Sequence, residues 1–594
     1  MKMKVSEKIT RLRELMTEKG IDAFIVPSSD PHISEYPAAH WKSRAWLSGF
    51  TGSAGTVVVT ADKAGLWTDS RYFLQAESQL KDSGINLFKD GLPETPSLKD
   101  WLVSELSAKR CVGIDGDVYA ASEVQLLKAF FEDNNIKLDT TFKPFDLIWS
   151  NRPEIPSDKI FILPEKFSGV SAREKIDNVL KETRTVGAES TVLASLDAIA
   201  WLFNIRGNDV DYNPVAVCYA VISPTEAVLF VNPEKLTTEV VDYLKSQNVI
   251  LADYTKVFDY VKKIPAEQKV LVNPAKINYS LYNSISGTVK EIAVHPVDML
   301  KAVKNETEIA GFKNALKKDG VALIKFYMWL ENALSANEKV TELDISRQLK
   351  HFRSEQALYF GESFETIAGY GGHGAIVHYG ATEESNATIE KKGLLLIDSG
   401  AQYFDGTTDI TRTIAVGELS EQMCIDYTLV LKGHIALSLA QFPQGTKGCQ
   451  LDILARKALW DRGLNYLHGT GHGIGHFLNV HEGPQSIRMD LHPTPLQLGM
   501  ICSNEPGLYR AGEYGIRIEN LILTTPAEKT DFGSFYQFET LTLCPIDKKP
   551  IKRDLLSDNE IEWLNQYHSA VYEKLSPLLN EGEKAWLKEK TDIF

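Results

Sequence analysis

Residues 394–414 read LLLIDSGAQYFDGTTDITRTI, and this stretch decides how the second half of the chain folds. The apolar run 394–397 predicts a buried strand that ends at Asp398. After a turn, residues 409–414 alternate between polar and apolar, which places Asp409 on the same face as two threonines. The stretch therefore predicts a β-hairpin that carries one carboxylate on each arm.

The register of this hairpin is left open by the sequence. A two-residue turn at 403–404 would set Asp398 directly opposite Asp409, whereas a turn at 405–406 would offset them. In either register the two carboxylates can converge on one point. Acids within apolar strands are costly unless a cation pairs with them. The simplest alternative is that Asp398 caps a turn and that Asp409 pairs with Arg412 or a lysine.

More side chains of the metal-binding type follow downstream. Glu505 lies in SNEPG and Glu519 in the alternating segment GIRIEN. Four histidines crowd the segment HGTGHGIGHFLNVHEG, and they are His468, His472, His476 and His481. Four carboxylates and a histidine form an oxygen-rich set that suits manganese, cobalt, iron or zinc, and more than one ion.

Each of these downstream signals also has a structural alternative. The glycines around the histidines make a helix improbable and predict a backbone that approaches a ligand or a metal closely. Histidine in such loops is more often a hydrogen-bonded structural group than a ligand, so at least two of the four should not be ligands, and spacing does not choose among them. Arg517 and Glu519 share one face of their strand, so a surface ion pair is the alternative for that segment.

Length and composition limit the classes of protein to which the chain can belong. A chain of 594 residues is too long for one hydrophobic core, so two to four domains are expected. The net charge of −15, with no basic stretch, argues against a nucleic-acid partner. No run approaches the ~18 apolar residues of a membrane-spanning helix, and the N-terminal segment reads as an amphipathic surface helix. The six cysteines lack CxxC spacing, which indicates reduced thiols and a cytoplasmic protein.

The chain organisation suggests an α/β fold that occurs twice before the hairpin domain. AWLSGFTG at 45–52 is echoed by AWLFNIRG at 200–207, and two copies of one fold are the simplest account, with chance recurrence as the alternative. A helix capped by Asn305, with Glu308 three residues on, marks the start of the next domain. We expect four parts, with bounds 1–150, 151–301, 302–537 and 538–594.

These residues resemble a known family. Asp398, Asp409 eleven residues later, and then HGTGHGIG, EPGLY and RIEN resemble the pita-bread metallopeptidases, which include methionine aminopeptidase, prolidase and aminopeptidase P. DPHISEYPAAHWKSRAWLSGFTGSAG, GLWTDSRYFLQAE, KAVKNETEI and YQFETLTLCPI extend the resemblance to the long, three-domain cytosolic type of Xaa-Pro aminopeptidase. The resemblance implies an α/β (α+β) multidomain fold, in which two creatinase-N-like domains precede a pita-bread catalytic domain.

Carried over position by position, the resemblance implies a metal site that holds two divalent ions, usually manganese in this family. Its five ligands would be Asp398, Asp409, His472, Glu505 and Glu519. Asp409 and Glu519 would bridge the ions. Asp398 would hold one ion, and His472 with Glu505 would hold the other.

The resemblance also implies a substrate site. Its residues would be Arg71 from the first domain, together with His378, His468 and His481. His476 is assigned no role. The relatives imply peptides as partners and a homodimer.

The chemistry of such a site can be reasoned independently. Two ions held ~3.5–4 Å apart can supply a bridging hydroxide and stabilise the oxyanion of amide hydrolysis. Glu505 is placed to act as general base, and His481 can donate a hydrogen bond to the oxyanion. A bond to proline has no N–H, so rings must recognise it by shape, and His378, His468 and Tyr509 are suitable. We therefore predict a metallo-aminopeptidase that cleaves the Xaa-Pro bond at peptide N-termini.

Three alternatives stay open. A prolidase would use the same ions on Xaa-Pro dipeptides, so the ligand set does not separate it from an aminopeptidase. A metal-free pita-bread binding module, or a metal-free hydrolase resembling creatinase, would lack the carboxylate set.

Overall fold

The computed structural model describes residues 3–106 and 110–594, and the chain divides into two compact units. The first unit comprises Met1–Leu163 and Val170–Val297. The second comprises Pro164–Gly169 and Asp298–Phe594. Within the described residues, no helix is long and apolar enough to cross a membrane.

The first unit begins with a six-stranded sheet whose strand order is β4-β3-β2-β1-β5-β6. Its strands are β1 (Ala23–Val26), β2 (Thr56–Thr60), β3 (Ala64–Thr68), β4 (Asn86–Lys89), β5 (Cys111–Gly113) and β6 (Lys137–Asp139). The helices around it are α1 (Val5–Lys19), α2 (Ser43–Ser48), α3 (Phe73–Gln79), α4 (Leu98–Glu105), α5 (Ala121–Asp133) and α6 (Phe145–Ile148). As predicted, α1 is amphipathic and buries Ile9, Leu12 and Met16.

A second six-stranded sheet repeats this arrangement, in the order β12-β11-β10-β8-β13-β14. The strands of this segment are β7 (Phe161–Ile162), β8 (Ser190–Leu193), β9 (Ile205–Arg206), β10 (Cys218–Ile222), β11 (Ala227–Val231), β12 (Val249–Ala252), β13 (Lys269–Val272) and β14 (Thr288–Glu291). Its helices are α7 (Glu165–Ser168), α8 (Ala172–Thr185), α9 (Leu196–Leu202), α10 (Thr238–Ser246), α11 (Val257–Val261) and α12 (Tyr279–Ser284), of which α7 belongs to the second unit.

The two sheets share their strand directions as well as their order. In each, the central strand (β1 or β8) pairs antiparallel with the first strand of a hairpin on one side. On the other side it pairs parallel with one strand (β5 or β13), which in turn pairs parallel with the edge strand (β6 or β14). The AWL segments both lie on the short helices α2 and α9, which precede that hairpin. The prediction of two copies of one α/β fold is confirmed, and chance recurrence is excluded.

The second unit combines long helices with several small sheets. Its helices are α13 (Pro296–Ala302), α14 (Glu306–Ser335), α15 (Glu342–Ser354), α16 (Glu421–Ser438), α17 (Gly448–Trp460), α18 (Asp558–Leu575) and α19 (Glu581–Lys590). Helix α14 begins with the predicted capping box, in which Asn305 accepts from the Glu308 N–H and the Glu308 carboxylate accepts from the Asn305 N–H. Helix α18 begins with an equivalent box formed by Ser557 and Glu560.

The strands of this unit form three sheets and one isolated pair, ordered β15-β18-β19, β16-β17-β20, β21-β28-β27-β24-β22-β23 and β25-β26. They are β15 (Tyr359–Glu362), β16 (Ile367–Tyr370), β17 (Leu394–Ser399), β18 (Ala401–Tyr403), β19 (Gly406–Thr407), β20 (Ile410–Ala415), β21 (Gln441–Pro443), β22 (Gly471–Gly473), β23 (Glu482–Ile487), β24 (Ile501–Asn504), β25 (Gly507–Arg510), β26 (Tyr514–Arg517), β27 (Asn520–Thr530) and β28 (Gly533–Thr540).

The predicted hairpin is formed by β17 and β20, but its register matches neither of the two turns considered. Asp398 pairs with Thr411, so Asp409 is offset by two residues. The turn lies between Tyr403 and Gly406, which pair with each other. Asp405 within it binds α14 through Lys318 at 2.6 Å, and this long-range contact fixes a turn that local sequence leaves open.

Candidate metal and substrate site

The hairpin brings its two aspartates to one buried face. Asp398 and Asp409 are both buried, and Thr411 lies opposite Asp398 on the facing strand. The Thr411 hydroxyl donates to Glu519 Oε2 at 3.0 Å, and the Glu519 N–H donates to the Thr411 carbonyl at 3.0 Å. Glu519 is thereby held against the second arm of the hairpin.

The remaining two predicted ligands approach from the large sheet. His472 lies on β22 and Glu505 directly follows β24, and these two strands pair with each other. Nε2 of His472 lies 3.5 Å from Asp409 Oδ2 and 3.5 Å from Glu505 Oε1. The Glu505 N–H donates to the Thr470 carbonyl at 2.8 Å, which fixes its backbone beside the histidine loop.

The donor set fits divalent metal ions. One ligand atom each from Asp409, His472 and Glu519 lies within 4.8 Å of the others. Asp398 Oδ2 accepts from Arg517 at 2.5 Å, whereas its buried Oδ1 has no hydrogen-bond partner among the described residues. A buried carboxylate oxygen without a donor is costly. Oxygen and imidazole donors in this arrangement are the ligands that manganese and its neighbours in the first transition row accept.

The pKa values of three of the acids are raised, which means that the metal-free site favours bound protons or another cation. Burial and then the charges of Glu519, Asp398 and Glu505 raise the pKa of Asp409 well above its ordinary value. Burial and then Glu505 and Asp398 do the same to the pKa of Glu519. Burial, with the Asp398 charge as a smaller cause, raises the pKa of Glu505 to about 7. In the absence of metal, these groups repel one another and favour their protonated forms.

The glycines around His472 serve strand packing, and the prediction that this backbone approaches a ligand or a metal closely stays a prediction. A Cβ on Gly471 would meet the Ser503 carbonyl oxygen at 2.0 Å, and one on Gly473 would meet the Gln485 side chain at 2.4 Å. Both clashes are with neighbouring strands or their side chains. The glycines therefore let β22 lie close to its neighbours, and this packing sets the position of His472.

Two of the predicted substrate-site histidines lie beside the acids. The His481 ring packs edge-on against His472, with centroids 4.4 Å apart. His468 Nε2 lies 2.8 Å from the Tyr509 hydroxyl, which accepts from Arg517 at 2.7 Å. A chain of hydrogen bonds therefore runs from His468 through Tyr509 and Arg517 to Asp398.

His378 and Arg71 lie in different units. His378 is half-buried, and the preceding carbonyl, that of Val377, accepts from Arg517 at 3.4 Å. Arg71 belongs to the first unit, where it pairs with Asp69 at 2.8 Å. The role of each in substrate binding stays a prediction.

For Arg517, the sequence left open whether the side chain is buried or forms a surface pair with Glu519. Its guanidinium is buried, and it donates to Asp398, Tyr509 and the Thr411 hydroxyl. The surface pair with Glu519 is therefore wrong. Ile516 and Ile518 are buried on one face and Arg517 and Glu519 on the other, so both faces are covered. The alternation of GIRIEN gave no signal for this, because it is the pattern of a strand with one exposed face.

His476 and Glu342 are buried polar groups outside the predicted ligand set. His476 lies 3.0 Å from the Asp405 carbonyl and packs edge-on against Phe312, which is consistent with a structural role. Glu342 accepts from the Tyr370 N–H at 2.9 Å and from the His373 ring at 2.9 Å. It holds the segment that leads to His378, and nothing in its sequence context points to this role.

Known protein families match successive segments of the chain, and the segment that contains the acids and His472 matches a metallopeptidase family. The matching family descriptions are the Creatinase/Prolidase N-terminal domain at residues 8–148 and again at 151–308, Metallopeptidase family M24 at 310–526, and the C-terminal region of peptidase_M24 at 534–594.

Similarity to individual proteins extends over the full length. A probable Xaa-Pro aminopeptidase P of Coprinopsis cinerea is 43% identical and covers 99% of this chain and 98% of its own. The chain belongs to the Xaa-Pro aminopeptidase family. Aminopeptidase P2 of Arabidopsis thaliana is 41% identical over 99% of this chain and 89% of its own length. The X-prolyl aminopeptidase of Caenorhabditis elegans, described as a cytosolic enzyme with a di-nuclear active site, superposes with a TM-score of 0.95 at 35% identity, and the match covers 100% of both chains.

Family membership confirms several predictions made from the sequence. The chain is a hydrolase of the metallo-aminopeptidase class, and its fold consists of two creatinase-N-type domains followed by the pita-bread domain of family M24. A metal-free binding module is disfavoured, because Asp409, His472 and Glu519 bring ligand atoms within 4.8 Å of one another.

Proposed function

We propose that this enzyme removes the N-terminal residue from peptides whose second residue is proline. The observation that carries the proposal is the cluster of Asp409, His472 and Glu519, with Glu505 3.5 Å from His472, within a chain similar over its whole length to Xaa-Pro aminopeptidases. We propose two divalent ions, with manganese expected. Their ligands would be Asp398, Asp409, His472, Glu505 and Glu519.

The protein groups around the ions have separate parts in the reaction. When bound, two divalent ions supply a strong nucleophile at neutral pH and polarise the scissile carbonyl. Glu505, 3.5 Å from His472, is proposed to accept a proton from the attacking water and to return it to the leaving nitrogen. His481, packed against His472, is proposed to donate a hydrogen bond to the carbonyl oxygen as charge develops there.

The proline ring is proposed to lie against aromatic faces. His468 and Tyr509 are hydrogen-bonded to each other with ring centroids 5.5 Å apart, so both are fixed before substrate arrives. Together with His378 they would form a rigid wall that recognises a ring by shape. Arg71 is also proposed to bind substrate, as the family resemblance implies.

A peptide panel tests the proposal and separates it from a prolidase. After chelation and reloading with Mn²⁺, Xaa-Pro-Yaa peptides should be cleaved at the Xaa-Pro bond with higher kcat/KM than the Xaa-Pro dipeptide. N-acetylated peptides and Xaa-Ala-Yaa peptides should react poorly. Preference for the dipeptide, with loss of cleavage on C-terminal extension, would show a prolidase, because a dipeptidase must recognise the free carboxylate of proline.

Organisation and location are also proposed. Domain bounds of 1–150, 151–301, 302–537 and 538–594 are consistent with the repeated sheets and the capped helix α14. A cytoplasmic enzyme is supported by the cytosolic description of the C. elegans relative.

A homodimer is proposed through the catalytic domain. Exposed apolar side chains lie on segments that flank the histidine loop, namely Trp460, Leu467, Met489 and Leu491. Sedimentation velocity measures the oligomeric state, and a monomer at micromolar concentration would contradict this proposal.

A further inference from the structure

Helix α18, in the C-terminal region, lies directly behind the strands that carry the proposed metal ligands. Its Tyr567 hydroxyl is 2.9 Å from Nη2 of Arg412, which follows Asp409 by three residues on the same arm of the hairpin. Arg412 and Asp409 project to opposite faces, because side chains alternate along a strand. The C-terminal region thus reaches the reverse side of the metal site.

Arg412 joins several separate segments of the chain at this point. Its fully buried guanidinium donates to the Glu519 carbonyl at 2.6 Å and to the Asn520 side-chain oxygen at 2.8 Å. Its other acceptors are the carbonyls of Thr411, Cys544 and Pro545 and the Tyr567 hydroxyl. Within residues 3–106 and 110–594, all of its hydrogen-bond acceptors are neutral. A buried cation needs these acceptors in place, so it fixes their spacing.

Asn520 extends this network from Glu519 to the segment that carries Glu505. Its amide nitrogen lies 3.0 Å from Nε2 of His434, whose Nδ1 lies 3.1 Å from the Asn504 carbonyl. Burial lowers the pKa of His434 to about 3, so the ring is neutral, accepts from Asn520 and donates to Asn504. Asn504 precedes Glu505 and Asn520 follows Glu519. The network therefore binds the backbone beside both glutamates.

Helix α18 closes the network from outside. Trp563 packs edge-on against His434, with centroids 5.8 Å apart, and stacks on Tyr567 at 5.3 Å. The Tyr567 hydroxyl donates to the Cys544 carbonyl at 2.8 Å and accepts from Arg412. Tyr567 is thus the point at which α18 is hydrogen-bonded to this network.

We propose that Tyr567 is a positioning residue for the metal site. By fixing Arg412 and Asn520, it sets the distance between the strands of Asp409 and Glu519, and through that distance the affinity for divalent metal. The proposal rests on the metal site described under the proposed function. Partners that orient metal ligands typically change metal affinity ~10–100-fold, and Tyr567 acts through one intervening residue, so a change of about tenfold is expected.

The test is Tyr567→Phe in the full-length protein, because it removes the hydroxyl and keeps the packed ring. After chelator treatment, Mn²⁺ affinity is measured by isothermal titration calorimetry, and unfolding midpoints are recorded with and without Mn²⁺. We expect Mn²⁺ binding about tenfold weaker, with activity largely regained at saturating Mn²⁺. The matched control is Tyr572→Phe, which removes a hydroxyl from the same helix outside the network and should bind Mn²⁺ as the wild type does.

A second variant keeps the proposal testable if Tyr567→Phe does not fold. Asn520→Ser shortens the side chain that links Arg412 to His434 and should also weaken Mn²⁺ binding. Where both single variants fold, the double variant should lose less affinity than the product of the two single losses, because both act through one network. A lower unfolding midpoint for Tyr567→Phe with unchanged Mn²⁺ affinity would show a purely structural role and overturn the proposal. A wild-type protein that binds no Mn²⁺ would instead overturn the metal site itself.

Discussion

Metal binding by this site should release protons from its carboxyl groups. The number of protons released should fall as the pH rises, because fewer carboxyl groups are protonated at higher pH. The pKa of Glu505 is raised to about 7, mainly by burial, and those of Asp409 and Glu519 are raised by burial and mutual repulsion. Metal ions bind the carboxylates and not the acids, so each proton held in the metal-free protein must leave on binding. Affinity for Mn²⁺ should therefore rise with pH.

The magnitude for Glu505 follows from its pKa. With a pKa of about 7, proton competition weakens binding by about 11-fold at pH 6 and by about 1.1-fold at pH 8, a difference of about tenfold. Asp409 and Glu519 add to this dependence in the same direction. In the metal-free protein, stability contributed by protonated Glu505 is complete below pH 4.5 and is lost as the pH rises through about 7.

Titration calorimetry in buffers of different ionisation enthalpy counts the protons directly. We expect about one proton from Glu505 at pH 6, with more from the other two acids, and a smaller release at pH 8. Glu505→Gln should bind Mn²⁺ more weakly and release about one proton fewer at pH 6. Glu513→Gln, which alters an exposed acid nearby, is the matched control and should change neither quantity. A wild-type release below about half a proton at pH 6 would refute this account of the site.

Two further substitutions probe the ligands and the substrate side. Asp409→Asn should weaken Mn²⁺ binding and lower kcat/KM, each by at least ~10-fold, because it removes a carboxylate 3.5 Å from His472. Asp461→Asn, at an exposed i,i+4 pair, should be mild when tested by the same calorimetry and kinetics, and equal losses would contradict the ligand assignment. Glu342→Gln weakens the anchor of the segment that carries His378, so KM for an Xaa-Pro-Yaa peptide should rise by about 3–10-fold with little change in Mn²⁺ affinity. An unchanged KM in steady-state kinetics would show that this anchor is irrelevant to substrate binding.

The parts of the site that the sequence predicted are those encoded locally. Period-two alternation placed Asp409 on the same face as Thr411 and Glu519 on the same face as Arg517, and the capping box of Asn305 marked the start of α14 to within one residue. Such signals depend on neighbours within a few positions, so no long-range information is needed to interpret them.

The parts that failed depend on contacts between distant segments. The hairpin turn is set by Asp405 binding Lys318, 87 residues away in the chain. The clash that requires glycine at 471 comes from a carbonyl on β24. The burial of Arg517 follows from hydrogen bonds to Asp398, 119 residues away. Periodicity contains no information on which distant partner covers a given face, so these features could not be derived from it.

The same alternation that assembles the ligands also explains why a C-terminal helix is needed behind them. On β20, Thr411 faces Glu519 and the next residue, Arg412, faces away from the site. After Glu519, the chain likewise turns the Asn520 side chain to the reverse face, where it meets Arg412 and His434. A strand that points carboxylates inward must present its next side chains outward, and here those side chains are polar and buried. They need partners from another layer, and Tyr567 of α18 supplies one.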